Sequence, residues 1–583
     1  MHWADSIAKA LSHRGDKHVI ASGITPSGEF HIGHLREILT SDIIKRACIA
    51  AGMDAKFVFF VDDADPLRKV YPFLDDSYEE YIGHQLANIP PPDEDGKPDL
   101  ARFNDGEGES YARHFLQPFK DALDILGVEV DEIIWNFRDG YEKGKFSEVS
   151  RIACNRADEI REIIERVSGR ELDDNWFPWN PVDANGCMDG ITVTGWEDPI
   201  VHWVDSEGNA GQSDVTKGEG KLPWRIDWPA KWAWRGVTME PFGKDHGAAG
   251  GSYDTGKEIV RLFDVEPPYP TTYEWISLKG VGAMSSSTGV TIGPQGALRL
   301  VPPQIMRYLI ARNQPKRHID FDTGSALIEL ADEFQRKCTE LSLGPAEDWA
   351  TLSSRQQKAI ETSVSQIAFS QVSNEKCSEL LERKSDLARG VQNWESSEFT
   401  KKYASPVTFR HLAMLSQMYS QTEDIWNSLF RSGLIGEEVL EILCIGNQNE
   451  YDVAFSDIAE RLKKRAELMR NWIQSPYFPE AFRLQIQTEL SEAAKEHMDS
   501  RDIEYLRDLQ VALEHCEWDW HSINNHICNN AKAREMKLRD AFQLLYWIVL
   551  GQDFGPKLAS ILEEMQRQDI LKLLKLAIDE LSS

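Results

Sequence analysis

The sequence predicts an α/β fold that is interrupted once and then followed by an all-helical region. Three observations predict it. Short β-branched runs alternate with helix-length apolar patterns in the first half of the 583 residues. A stretch rich in Trp, Pro, Gly and Asp, without helical spacing, separates residue 169 from residue 234. Residues 351–583 hold only 6 of the 39 glycines and 4 of the 26 prolines, which favours helix almost throughout.

The first repeat is a βαβ unit. His18–Gly23 reads as a buried strand, Ile38, Leu39, Ile43, Ile44 and Ala47 recur at helical spacing until Gly52, and Phe57–Val61 reads as a second strand. Between strand and helix lies Thr25-Pro26-Ser27-Gly28-Glu29-Phe30-His31-Ile32-Gly33-His34. Such a turn aims free backbone N–H groups and the positive end of the helix dipole at its ligand, so anionic phosphate is expected. His31 and His34 fall on one side of the first turn, and Gly33 leaves room for a flat ring such as adenine.

The second strand runs into Asp62, Asp63 and Asp65, placed where α/β sheets bind ligands and where an amine substrate would need carboxylates. Residues 111–127 read as a helix, 130–135 as a strand, and 146–168 as one charged helix closed by Gly169. After the interruption, Pro241–Ser252 is glycine-rich and leads into a helix through Ile259 and Leu262. Gly251, Gly256 and Lys257 mimic P-loop spacing, but Glu258 stands where that loop needs Ser or Thr. No G-x-G-x-x-G follows the first strand, which removes the main support for a nicotinamide or flavin enzyme. Thr271–Leu278 reads as one more strand, delivering a Gly-flanked loop from Lys279 to Gly289.

A net charge of −31 weighs against a nucleic-acid partner, yet Lys244, Lys257 and Arg261, and again Arg307, Arg312, Lys316 and Arg317, suggest a basic track on an acidic body. Eight cysteines are scattered without a C-x-x-C pair, as in reduced thiols. The start lacks a secretory pattern, and the longest apolar run, Ala541–Leu550, is too short to span a bilayer. A cytoplasmic protein that does not engage membranes is expected. His515, Cys516, His521, His526 and Cys528 lie close together but without zinc-site spacing.

His31-Ile32-Gly33-His34 matches the HIGH motif of class I aminoacyl-tRNA synthetases, and Met284-Ser285-Ser286-Ser287-Thr288-Gly289 resembles their KMSKS motif. The surroundings, most specifically residues 19–37 and 240–290, resemble the class I lysyl-tRNA synthetases. The resemblance implies a Rossmann-type catalytic domain in two halves (1–168 and 235–300), an inserted acceptor-end-binding domain (169–234), a connecting helical domain (301–350) and a helical anticodon-binding region (351–583). It implies activation of L-lysine by ATP with Mg²⁺, then transfer to tRNA(Lys). With Cys187 alone in the insertion, no structural zinc and no metal ligands are expected. His31, His34 and Met284–Thr288 take the catalytic roles. Pro26, Ser27, Gly28, His31, Gly33, His34, Lys279 and Ser286 hold ATP, and Gly23, Thr25, Trp224, His246 and Tyr273 surround lysine.

One departure stands out. Ala283 and Ser286 occupy the two lysine positions of KMSKS, so Lys279 and Lys244 are candidate replacements. A glutamyl-type synthetase, a nucleotidyltransferase without tRNA, and a non-catalytic tRNA-binding paralogue are the rival readings. In the helical region, Trp518 and Trp520 would diverge by about 200° on a helix, so one should be exposed as a platform for an anticodon base.

Overall fold

In the computed structural model the structure describes residues 1–104, 108–278, 282–283, 292–343, 349–388, 407–446 and 453–582. Contacts divide the chain into two compact units. The first comprises Met1–Leu298, Pro303–Phe321 and Glu347–Asn393. Helices Ser354–Phe369 and Asn374–Ala388 lie in the first unit.

The first unit is built on a five-stranded parallel sheet. Its strands β1 (Lys17–Ile24), β2 (Asp54–Val61) and β3 (Glu132–Trp135) lie side by side, and Met239–Gly243 followed by Tyr269–Tyr273 extend the sheet from the other edge of β1. Strand order thus reverses beside β1, which opens a crevice at the C-terminal ends of β1 and Met239–Gly243. The sheet is hydrophobic on both faces. Ala21, Val58, Phe60, Ile134, Trp232, Val237 and Val260 form one buried cluster.

Several elements differ from the sequence reading. Thr271–Leu278 is two strands: Tyr269–Tyr273 pairs with Met239–Gly243, whereas Ile276–Leu278 pairs with Ile319–Phe321 in a second sheet. The backbone leaves the first sheet at Glu274, whose N–H donates to the Pro315 carbonyl at 2.9 Å. The charged helix at 146–168 is two helices, Ser147–Asn155 and Ala157–Ser168, hinged at Arg156, with Gly169 in the left-handed region (φ 66°) closing the second. The insertion contains a three-stranded antiparallel sheet, Thr192–Glu197, Ile200–Val204 and Ala210–Asp214. Its last helix, Trp224–Arg235, returns to the main sheet and buries Trp232 there.

The basic track loses one member. Arg307 is wholly buried, paired with Asp42 at 2.5 Å and donating to the carbonyls of Leu126 and Phe369, so it ties helix Pro303–Ala311 to the helices that carry or end at these residues.

The second unit comprises Arg299–Pro302, Asp322–Ala346 and Trp394–Ser583. It has no strand among its described residues; its longest helix is Val453–Gln474 and its last is Arg567–Ser582. Among the described residues no helix is long and apolar enough to cross a membrane.

Candidate active site

The turn after β1 carries two imidazoles. His31 caps the short 3₁₀ turn Ile32–His34 that precedes helix Leu35–Ala50, and its Nδ1 accepts the Gly33 N–H at 3.1 Å. The proton of a neutral His31 therefore sits on Nε2, which remains a donor. The His31 N–H lies 3.1 Å from His34 Nδ1, and the two rings are 4.0 Å apart. Burial lowers the His31 pKa to about 4 and the His34 pKa to about 3, so both rings are neutral at pH 7. The backbone differs from the expectation of free amides. Ile32 N–H donates to Ile292, His34 N–H to His31 and Gly33 N–H to the His31 ring, so the turn offers imidazole in place of bare backbone.

Two cavities meet in the crevice, of about 300 and about 480 Å³, and they share Gly23, Thr25 and Glu37. The larger is lined by His31, Gly33, His34, Tyr273 and Trp275. Trp224, Trp228, Phe242 and His246 give the smaller aromatic walls, and five carboxylates face it. Their partners separate these carboxylates into two kinds.

Three are neutralised from within. Asp62 pairs with Lys231, which also holds Asp227 at 2.7 Å; Asp65 pairs with Lys221 and accepts the Thr25 hydroxyl at 2.8 Å. The acids after β2 are therefore not a free ammonium site. Asp63 is buried and accepts the Phe137 N–H at 2.6 Å.

Glu37 and Glu240 have no ion-pair partner among the described residues. Glu37 accepts from Ser22 Oγ at 2.6 Å, Gly23 N–H at 3.1 Å and Tyr273 Oη at 2.6 Å. Glu240 accepts the indole N–H groups of Trp232 and Trp228. Burial raises both: Glu37 stands above the ordinary carboxylate range despite its three donors, and Glu240 reaches about 7.

The crevice thus gathers Gly23, Thr25, Trp224, His246, Tyr273, His31, Gly33 and His34. Pro26, Ser27 and Gly28 line neither cavity; Gly28 packs under Phe73, whose ring would lie 2.8 Å from an added Cβ. Lys244 lies 3.0 Å from Glu274. Lys279 and Met284–Thr288 lie outside the described residues. Gly256 and Lys257 are inside helix Ser252–Ile259, so the P-loop spacing has no loop to act on. Sequence reasoning missed Glu37, Glu240 and Trp228. The available signal was an acid inside an apolar pattern: Glu37 beside Leu35 and Ile38, and Glu240 within the buried run Met239–Phe242.

The crevice therefore combines a reversal of strand order, a paired-histidine turn and two adjoining cavities at the C-terminal ends of the strands. A family model described as tRNA synthetases class I (K) matches residues 1–366, and an anticodon binding domain model matches residues 435–578. The chain belongs to the class I (K) tRNA synthetase family. Relatives named lysine–tRNA ligase share 35% identity in Archaeoglobus fulgidus, over 99% of this chain and 100% of that protein, and 34% in Picrophilus torridus, over 98% of each. A third, from Methanosarcina barkeri, is 45% identical over 58% of this chain and 61% of its own length.

Proposed function

We propose that the chain is a lysine–tRNA ligase, which activates L-lysine with ATP to lysyl-adenylate and passes the lysyl group to tRNA(Lys) in the cytoplasm. The observation that carries this reading is a pair of carboxylates with no ion-pair partner among the described residues, half-buried Glu37 and buried Glu240, in an aromatic cavity beside the two histidines. Free lysine is a zwitterion with a second, ε-ammonium group. It brings two cations to two unpaired carboxylates, and its four-carbon stem suits walls of Trp224, Trp228 and Phe242. A glutamate side chain would set a third carboxylate against them.

In the first step a carboxylate oxygen of lysine attacks the α-phosphorus of ATP. The new O–P bond forms as the bond to pyrophosphate breaks. The chain's part is positioning and charge stabilisation, with neutral His31 and His34 donating to phosphate oxygens. Mg²⁺ enters as the counter-ion of the ATP substrate. Met284–Thr288 is assigned to closure over the triphosphate, with Lys279 or Lys244 supplying charge at the positions where Ala283 and Ser286 replace lysine. In the second step a terminal ribose hydroxyl of tRNA attacks the lysyl carbonyl and AMP leaves. The insertion is assigned to the acceptor end and residues 435–578 to the anticodon.

Exchange of pyrophosphate into ATP tests the reading, measured with lysine, glutamate or no amino acid, with and without tRNA. Lysine-dependent exchange is expected. Glutamate-dependent exchange, or none under any condition, would overturn it in favour of a rival.

A further inference from the structure

Thr25 stands where the two cavities of the crevice meet, since it lines both. Its hydroxyl proton is already committed. Thr25 Oγ1 donates to Asp65 Oδ2 at 2.8 Å, and an ionised carboxylate can only accept, so the direction of this bond is fixed. The other Asp65 oxygen, Oδ1, is held by the Lys221 ammonium. Burial alone would raise the Asp65 carboxyl, but the paired ammonium holds it below the ordinary carboxylate range. What the Thr25 hydroxyl has left to offer the crevice is therefore lone pairs.

Lys221 comes from the insertion, lines neither cavity and is 3% exposed. Its backbone is braced on both sides. Gly220 pairs with Pro181 at φ 149°, and a Cβ there would run into the Asn180 carbonyl oxygen and the Trp179 ring. Leu222 N–H donates to the Tyr141 hydroxyl at 2.9 Å, and that hydroxyl donates to Asp227 at 2.5 Å. The ammonium thus reaches Asp65 from behind the crevice on a strand that is fixed at either neighbour.

We propose that Asp65, held by Lys221 of the insertion, is a positioning residue for amino-acid selection: it makes the Thr25 hydroxyl a fixed acceptor for an ammonium group of the substrate. The inference rests on the lysine–tRNA ligase reading. An ammonium has three donors and no acceptor, so it matches lone pairs at this point, whereas a glutamate side chain would set carboxylate oxygen against hydroxyl oxygen. Lys221 neutralises Asp65, so the selection here comes from the polarity of a hydroxyl and not from a further free charge.

The test uses the full chain carrying Asp65→Asn. The new amide oxygen would face the Lys221 ammonium, so its NH₂ group would donate to Thr25 and turn the hydroxyl proton toward the crevice. In ATP–pyrophosphate exchange at saturating tRNA, KM for lysine is expected to rise about tenfold to a hundredfold, with KM for ATP and kcat changed less than about twofold. Thr25→Val should raise KM for lysine comparably, and Thr25→Ser should retain most of the binding. Asp65→Asn should add nothing in the Thr25→Val background, because both act through one hydroxyl; a packing role for Asp65 would add in full. Circular dichroism and thermal unfolding establish which variants fold. If Asp65→Asn does not, Asp65→Leu combined with Lys221→Met removes both buried charges together. The hydroxyl then lacks its orienting partner, and KM for lysine should rise about twofold to tenfold, again only where the Thr25 hydroxyl is present. Unchanged KM for lysine in the folded variant, or a rise that persists in full in the Thr25→Val background, would overturn the proposal. If the unaltered chain showed no lysine-dependent exchange, the ligase reading would fail instead. Calorimetry of lysine binding would then decide the Thr25 acceptor, with no binding, or equal affinity for the unaltered and Asp65→Asn chains, overturning it.

Discussion

Tyr273 donates its hydroxyl to Glu37 across 236 positions of sequence, at 2.6 Å, at the rim where the two cavities of the crevice meet. The bond joins a strand of the sheet to the helix that follows the paired-histidine turn. It orients a carboxylate that has no ion-pair partner among the described residues.

Glu37→Gln should therefore raise KM for lysine strongly, by about 2 to 5 kcal/mol, because an ammonium would be left without its charged partner. Tyr273→Phe should cost about 1 kcal/mol, the loss of one orienting hydrogen bond. Trp224→Ala and His246→Ala should also act on KM for lysine more than on KM for ATP. Equal effects on both substrates would reduce these residues to packing roles.

Glu240 predicts a pH dependence. With its pKa raised to about 7, it loses charge as pH falls below neutrality, so KM for lysine should rise between about pH 8 and pH 6. Lysine binding near pH 7 should release a proton, which calorimetry in buffers of different ionisation enthalpy reads directly. Folding stability runs in the opposite sense. The folded chain keeps a proton that an unfolded glutamate, at about 4.3, has lost, so this stabilising contribution is full below that value and is lost as pH rises through about 7. Glu240→Gln should flatten both profiles, and a KM for lysine that does not change over this range in the unaltered chain would contradict the assignment.

His31→Ala and His34→Ala should each remove about 2 to 4 kcal/mol of transition-state stabilisation from adenylation, with ATP binding changed less. Both rings are already neutral well above their pKa values of about 4 and about 3, so their contribution should be constant from about pH 5.5 to 8. Near-normal single-turnover adenylation in both variants would remove the turn from the chemistry.

Buried Lys231 holds buried Asp227 and half-buried Asp62. Lys231→Met should destabilise the first unit by about 3 to 5 kcal/mol, because a buried and a half-buried carboxylate would lose their cation. Adding Asp62→Asn should recover part of the loss in a denaturant titration, whereas full additivity would show that the charges are not coupled.

The sequence by itself determined the alternation of strand and helix around β1, the break into an insertion, and the helical second half, because periodicity and glycine or proline content are local properties. It also determined the turn that carries His31 and His34, since a strand, a short loop and the capped turn Ile32–His34 follow one another between Lys17 and His34. Which carboxylates are free was decided only by tertiary structure. Asp62, Asp63 and Asp65 are adjacent in sequence and look alike, but Lys231 and Lys221 reach two of them from the insertion and its returning helix. Glu37 and Glu240 look like isolated acids in apolar runs until folding places them on one crevice with no ion-pair partner among the described residues. Charge pairing in a buried site depends on distances of a few ångströms between distant segments, and local spacing carries no record of those distances.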